Sequence, residues 1–361
     1  MAGRSEADVA IDLRVVGDTP AGMARYALEL ARRIPALAPE LKFSLIAGPE
    51  APPLPLGPNV DVVRTRSAFL SPAEQLEVPR AAHGARLLHA TTFSVPRLRR
   101  GALVVTIHDA NHLAFPEQYG PLQGPYYRYI VAPTARRARV LTVSEFARRE
   151  ISQRLGLAAD GIGVIPNGVD DLFRPQDKGD VEAWRAARGL PGRFVLYVGN
   201  AKPHKNVAAL VAAFDELPSD VGLVLCGGGA ELERLTDGAA RASEIRVLPQ
   251  IPERELPLLY AAAALFCFPS RYEGFGLPPL EAMACGTPVV AARAGALPEV
   301  LGGAAEFFDP DDRTGCAAAL QQVLGAPALA EQLSQAGLER ARLFSWDHTA
   351  RQTLDVYRAM L

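Results

Sequence analysis

The stretch FVLYVGNAKPHKN, residues 194–206, joins an apolar run (Phe194–Val198) to a glycine turn at Gly199 and two lysines, Lys202 and Lys205. The chain has only four lysines among its 38 basic residues. Five apolar residues bounded by glycine read as a buried strand, and the alanine- and valine-rich segment that follows reads as a helix starting near Asn206–Val207. A lysine at such a junction reaches back over the helix N-terminus, whose free N–H groups already favour an anion. Lys205 is the better placed of the two. Its compact charge suits a phosphate oxygen, whereas an arginine would offer a planar fork. Two solvated loop lysines are the plainer alternative at this point.

The same alternation of short strand runs and longer helical segments occurs twice along the chain. Strands are expected at Val9–Leu13, Phe43–Ala47, Leu87–Ala90, Leu103–Ile107, Val140–Val143 and Gly163–Pro166. A second set is expected at Phe194–Val198, Gly222–Cys226, Ile245–Leu248, Leu265–Phe268 and Thr287–Ala291. This predicts an α/β fold of parallel sheets. A chain of 361 residues also exceeds what one core serves,. The Asp-, Gly- and Pro-rich stretch NGVDDLFRPQDKGDVEAWRAARGLPGRF places the boundary near 170–192, between two doubly wound domains expected to face each other across a cleft. Ligands of such sheets sit at the C-terminal ends of the strands.

Composition is that of a globular enzyme: 49% hydrophobic, 22% charged, net charge −2,. Residues 1–170 carry 20 basic and 16 acidic residues, and 171–361 carry 18 and 24. Arg97, Arg99 and Arg100, and Arg136, Arg137 and Arg139, make the first half the more cationic. They suit an anionic lipid surface or an acidic acceptor as well as a merely solvated face. The charge is too balanced, and the motifs too few, to argue for nucleic acid. Cys226, Cys267, Cys285 and Cys316 are too irregularly spaced for a zinc site or disulfide framework and read as buried thiols. The N-terminal MAGRSEADVAIDLRVV lacks the design of a signal sequence, and the longest apolar run, Leu258–Phe268, is too short to cross a bilayer. A cytoplasmic protein is expected, with peripheral contact at the inner membrane face a further possibility.

FCFPSRYEGFGLPPLEAMACGTPVV holds Glu273 in a glycine-flanked loop and Glu281 eight residues on, in the expected first turn of a helix marked by Pro278 and Pro279 and ended by Gly286. Gly274 and Gly276 let backbone N–H groups approach a ligand. Carboxylates accept hydrogen bonds from hydroxyls, so the pair suits a ligand with a diol at each end, a sugar and a ribose. For Glu281, simple complementation of the helix dipole competes. In VTIHDANHLAFPE, His108 and Asp109 leave a strand directly. A lone histidine is more often structural, but the strand's C-terminal edge strengthens its claim, with Asp109 orienting it or capping a turn. In TVSEFARRE, Ser144 is an expected N-cap able to touch a phosphate. In GDTPAGMARYALEL, Gly22 precedes a helix expected to start about Arg25.

Together these segments resemble the group-1 glycosyl transferases (family four), retaining nucleotide-sugar enzymes of the GT-B architecture. The resemblance rests on GMARY at 22–26, HD at 108–109, VSEFARREI at 143–151, VIPNGVD at 164–170 and YVGNAKPHKN at 197–206. Its most specific part is EGFGLPPLEAMACGTPVVA at 273–291. It implies domains at 1–170 and 171–344, with the closing FSWDHTARQTLDVYRAM forming a helix at about 345–361 that crosses back to the first. It further implies that Lys205 neutralises the donor diphosphate, Glu281 binds the nucleotide ribose and Glu273 faces the donor sugar. Amides of Phe275, Gly276 and Leu277 would support sugar and phosphate, His108 would lie beside the anomeric carbon, and Gly22 would line the pyrophosphate. Gly199, Asn200, Lys202, Gly227 and Ile251 complete the expected donor site. Many members carry arginines where this chain has Asn200 and His204, which leaves the second phosphate contact to Lys202.

The implied reaction is transfer with retention from a nucleotide-sugar, GDP-mannose-like by preference, to a glycan or lipid-linked saccharide. It needs no metal and no cofactor, since cationic side chains and helix N-termini stabilise the leaving diphosphate. A nucleotide-sugar epimerase of the same architecture and a silent nucleotide-sugar-binding protein are the rival readings. A dinucleotide oxidoreductase is disfavoured because CGGGAEL at 226–232 lacks the G-x-G-x-x-G spacing.

Overall fold

A computed structural model describes residues 7–17, 22–49, 51–54, 57–67, 69–99 and 101–361. Residues 1–6 of the N-terminal stretch, 18–21 of the GDTPAG turn and Arg100 lie outside the described residues. The chain divides into two compact units, residues 1–168 with 345–361, and residues 169–344.

The first unit is built on seven parallel strands: β1 (Val9–Asp12), β2 (Phe43–Ala47), β3 (Val60–Arg64), β4 (Leu87–Ala90), β5 (Ala102–Thr106), β6 (Arg139–Thr142) and β7 (Ile162–Val164), in the spatial order 3-2-1-4-5-6-7. The second has six: β8 (Phe194–Val198), β9 (Gly222–Cys226), β10 (Ile245–Leu248), β11 (Leu265–Phe268), β12 (Val289–Ala292) and β13 (Glu306–Phe308), in the order 10-9-8-11-12-13. Each order reverses direction once, between β1 and β4 and between β8 and β11. A crevice opens beyond the strand ends at such a point. β1, β2, β4, β9, β11 and β12 are buried at every position, as parallel strands covered on both faces must be,.

Two strands have no counterpart in the expected sets. β3 and β13 are outer edges of their sheets and are only partly buried; Asp61 and Arg64 interrupt the valines of β3, and β13 is three residues long, so neither makes a clear apolar run. An edge strand pairs on one side and packs less, which weakens the pattern by which strands are read. The composition-based boundary at 170–192 also differs from the observed division after Gly168. Most of that stretch belongs to the second unit, where Lys178–Ala187 is a helix capped by the Asp177 carboxylate.

The helix Trp346–Met360 belongs to the first unit and packs along the helix Met23–Leu37. Its Trp346 backbone lies so close to Gly168 that a Cβ there would fall 2.0 Å from the Trp346 nitrogen. All four cysteines are buried and free.

Candidate active site

In the second unit the loops leaving β8 and β11, the neighbouring strands at the reversal point, bring Lys205 and Glu273 together. Lys205 Nζ lies 2.6 Å from Glu273 Oε1, and the two side chains are 17% and 12% exposed. The Lys205 ammonium also stands 5.4 Å from the centre of the Phe268 ring. Neither group is sealed in. Both therefore remain within reach of a ligand.

Lys205 closes a single 3-10 turn, Pro203–Lys205, ahead of the expected helix, Val207–Phe214. Asn206 links the two in a left-handed conformation, its side-chain amide donating to the Pro310 carbonyl at 3.0 Å. Arg271 N–H donates to the His204 carbonyl at 2.8 Å, so the loop of Glu273 is laced to the loop of Lys205. Glycine fixes the rest: a Cβ on Gly295 would lie 2.6 Å from the Glu273 nitrogen, and Ala296 N–H donates to the Glu273 carbonyl at 3.0 Å. Gly295 was not expected from the sequence. The turn-like RAGAL after β12 is its only local signal.

His204 is buried, and its pKa is lowered to about 4 by desolvation and then by Lys205. It is neutral at pH 7 and supplies no second cation. Lys202 is exposed, with its N–H held by the Asn200 side-chain oxygen at 3.2 Å. Gly199 sits where a Cβ would clash with Tyr197 Oη at 2.6 Å, and that hydroxyl donates to the Asn200 carbonyl at 2.7 Å. Gly227, at the end of β9, abuts the Gly199 carbonyl. The Ile251 backbone lies on the neighbouring loop, where the Cys226 thiol donates to Pro249 O at 3.5 Å.

The helix carrying Glu281 runs from Leu277 to Ala284, capped by Gly276 in a left-handed conformation. Glu281 therefore lies past the first turn, a correction to its expected place. The helix starts as soon as Gly276 completes its turn, with Pro278 and Pro279 already inside. Complementing the helix dipole is thus a poor account of this residue, since that effect falls off within the first turn. Glu281 is 6% exposed and accepts from Tyr260 Oη at 2.9 Å. Gly274, Phe275 and Leu277 are buried, with the Phe275 ring edge-on to Phe344 at 5.7 Å. The leading N–H groups of the helix have no partner within it.

In the first unit His108 leaves β5 and is partly buried. Its Nε2 lies 3.0 Å from the Thr91 carbonyl, which only accepts, so Nε2 carries the proton and Nδ1 keeps its lone pair,. Desolvation lowers its pKa to about 4 against the raising effect of that bond. Tyr26 stands edge-on to the ring at 4.8 Å. Asp109 caps a turn, accepting from Asn111 N–H at 3.0 Å. Ser144 is an N-cap, its Oγ accepting from Ala147 N–H at 3.0 Å at the head of the helix Glu145–Leu155. Gly22 is exposed at φ +45° and immediately precedes the helix at Met23. The structure thus brings together Lys205 and Glu273, with Gly199 beside Gly227, in one unit; His108, Gly22 and Ser144 belong to the other. Among the described residues no group of three or more His, Cys, Asp or Glu side chains is arranged to hold a metal ion.

The chain matches the model for glycosyl transferases group 1 over residues 180–340 and that for glycosyltransferase family 4 over residues 20–171. It is 34% identical to the O-antigen chain mannosyltransferase B of Escherichia coli, over 76% of this chain and 74% of that protein. The chain belongs to the group 1 glycosyltransferases. It is also 30% identical to the alpha-maltose-1-phosphate synthase of Mycobacterium tuberculosis H37Rv, covering 83% of this chain and 86% of the relative. Its fold is that of sucrose-phosphate synthase from Thermosynechococcus elongatus, with a TM-score of 0.81 and 24% identity over 97% of this chain and 98% of that one. Anabaena HepE, solved with UDP and glucose, gives a TM-score of 0.80 at 20% identity over 98% of this chain and all of that one. The architecture of this glycosyltransferase is accordingly GT-B, and the protein is an enzyme. The relatives named here are transferases and synthases, which leaves the epimerase reading without support.

Two side-chain networks of the transferase were not expected. Beside His108, Tyr26 Oη meets Thr106 Oγ1 at 2.9 Å, Thr106 meets His89 Nε2 at 2.8 Å, and His89 Nδ1 meets Tyr357 Oη at 2.5 Å. Burial pushes His89 down to about 3 and Tyr26 up to about 12. At the reversal point between β1 and β4, buried Arg14 forks onto Asp12 at 2.7 Å and reaches Glu74 at 3.2 Å. Glu74 also accepts from Ser94 at 2.7 Å and Tyr126 at 2.9 Å. Thr91, whose carbonyl holds His108, donates its hydroxyl to the Asp12 carbonyl at 2.6 Å. Asp12, which closes the first strand, and Arg14 just after it are the signal for this second network.

Proposed function

We propose that the enzyme transfers mannose from a GDP-linked donor to a glycan or lipid-linked saccharide, with retention and without a metal. The observation that carries this reading is the Lys205–Glu273 pair at the reversal point between β8 and β11. A diphosphate takes the ammonium and the sugar hydroxyls take the carboxylate, so each half of the ion pair is exchanged for a half of one ligand. Mannose is favoured by the likeness to an O-antigen mannosyltransferase.

Lys205 and the leading N–H groups of the helix Leu277–Ala284 neutralise charge as the bond between the anomeric carbon and the phosphate oxygen breaks. The acceptor oxygen bonds to that carbon on the same face, and its proton passes to the departing phosphate oxygen. His108 is neutral, with the Nδ1 lone pair available beside the electron-poor sugar. Glu281 holds the ribose diol, while Gly22, Ser144, Asn200, Lys202, Gly227 and Ile251 complete the donor site. Lys202 supplies the charge that His204 does not.

The test is turnover of GDP-mannose, UDP-glucose and ADP-glucose in EDTA with short mannosides as acceptors, the product linkage read by proton NMR. An α-mannoside formed from GDP-mannose is expected. Inversion, dependence on added metal, or preference for a glucose donor would overturn the corresponding part.

A further inference from the structure

Among the described residues of the second unit Glu281 is the one acidic residue that is buried. A carboxylate held away from water needs hydrogen-bond donors, and Tyr260 is placed as one: its Oη donates to Glu281 Oε2 at 2.9 Å,. Tyr260 is itself fully buried. A buried tyrosine hydroxyl needs a partner, and any backbone carbonyl would serve that need. This one ends instead on the side chain that holds the ribose diol in the proposed function.

Tyr260 is fixed from several sides. It lies on the helix Leu256–Ala262, with its ring edge-on to Phe266 of β11 at 5.5 Å and to Phe173, near the start of the second unit, at 6.0 Å. Thr287 Oγ1 donates to the Tyr260 carbonyl at 2.7 Å. Thr287 follows the Gly286 turn that leads from the Glu281 helix toward β12. The tyrosine is thus anchored to the strand that feeds the Glu273 loop and to the segment just past the helix of Glu281, and its hydroxyl is directed at the carboxylate between them.

A glutamate side chain free to turn loses rotamer freedom when a ligand binds it, and affinity falls accordingly. A phenol bond made beforehand removes that loss. An ionised carboxylate has about four acceptor sites, so one tyrosine bond is compatible with bonds from two ribose hydroxyls. Glu273 differs here, since its lysine partner must be traded for the ligand. The neutral tyrosine can stay where it is.

We propose that Tyr260 is a positioning residue for nucleotide recognition: its hydroxyl sets the Glu281 carboxylate for the 2′ and 3′ hydroxyls of the ribose, and with it the preference of the enzyme for ribonucleotides. The proposal rests on the reading of Glu281 as the ribose ligand.

The experiment is calorimetry of GDP, UDP and ADP, each beside its 2′,3′-dideoxy form, with the parent, Tyr260→Phe, Glu281→Ala and the double variant. The parent should bind its favoured nucleotide about tenfold or more tighter than the dideoxy form. Tyr260→Phe keeps the ring and its packing. It should lower ribonucleotide affinity about fivefold and leave dideoxynucleotide affinity at the parent's value. Added to Glu281→Ala, it should change nothing more. A parent indifferent to the ribose hydroxyls would overturn the ribose reading and the proposal with it. A parent that discriminates, joined by a Tyr260→Phe variant that discriminates equally well, would overturn the proposal alone. Equal loss for both forms of the nucleotide, or a further loss in the Glu281→Ala background, would assign Tyr260 a purely structural role and overturn it too.

Discussion

The two candidate sites, one in each unit, solve opposite problems. Around β8 and β11 the chain places a lysine and a glutamate in contact, partly open, each able to trade its partner for a ligand. Around β4 and β5 it buries His89, Thr106, Tyr26 and Tyr357 in a closed network whose titratable members all stay neutral. On the proposed reading the first binds by charge and must rearrange. The other packs Tyr26 edge-on to His108 and must not rearrange, because an unpaired polar group in such a network costs about 1–3 kcal/mol.

The contrast breaks most severely at Lys205. Lys205→Ala should lower kcat by about 10²–10³-fold, as expected when a charge-stabilising donor is lost, and should weaken nucleoside diphosphate binding. A normal single-turnover rate would remove the phosphate role. Glu273→Gln separates the two exchange steps: turnover of the sugar donor should fall strongly, yet free nucleotide should bind at least as well, because Lys205 loses its competing partner. Weaker free nucleotide binding in calorimetry would contradict that assignment.

Acid sharpens the other side of the comparison. His89 and His108 have pKa values near 3 and 4 in the folded chain, below the ordinary value of about 6.5, so the unfolded state binds protons first as pH falls,. Their contribution is fully present above about pH 6.5 and is lost as the pH drops toward the folded values. Melting temperature should therefore decline from pH 7 to 4, and His89→Gln should decline less than the parent over that range. A parallel decline would mean that His89 does not remain neutral. The smallest effect is expected at Tyr357→Phe, which removes one hydrogen bond to His89 and should cost about 1 kcal/mol in denaturant titration with little change in nucleotide affinity,.

Where chemistry follows short-range pattern, the chain was legible. Lys205 lies seven residues past one strand and Glu273 five past another, and both stand out in the sequence. Glu281 was found but set in the wrong turn, because two prolines mark a helix start loosely while Gly276 fixes it. The network behind His108 was not found. Its bonds join residues separated by 80, 17 and 268 positions, and each partner alone is an ordinary apolar-strand or helix residue. The edge strands β3 and β13 escaped for a different reason: Asp61 and Arg64 break the valine run of one, and the other is only three residues long.

The most direct test of donor recognition at the β8–β11 reversal point is calorimetry of GDP, UDP and ADP in EDTA against the parent, Lys205→Ala and Glu281→Ala. Tight binding of GDP by the parent, weakened about tenfold or more in both variants, is the predicted result, since each loses a hydrogen bond to or from a charged group. Parent-like affinity in both variants would place the nucleotide elsewhere and contradict the account.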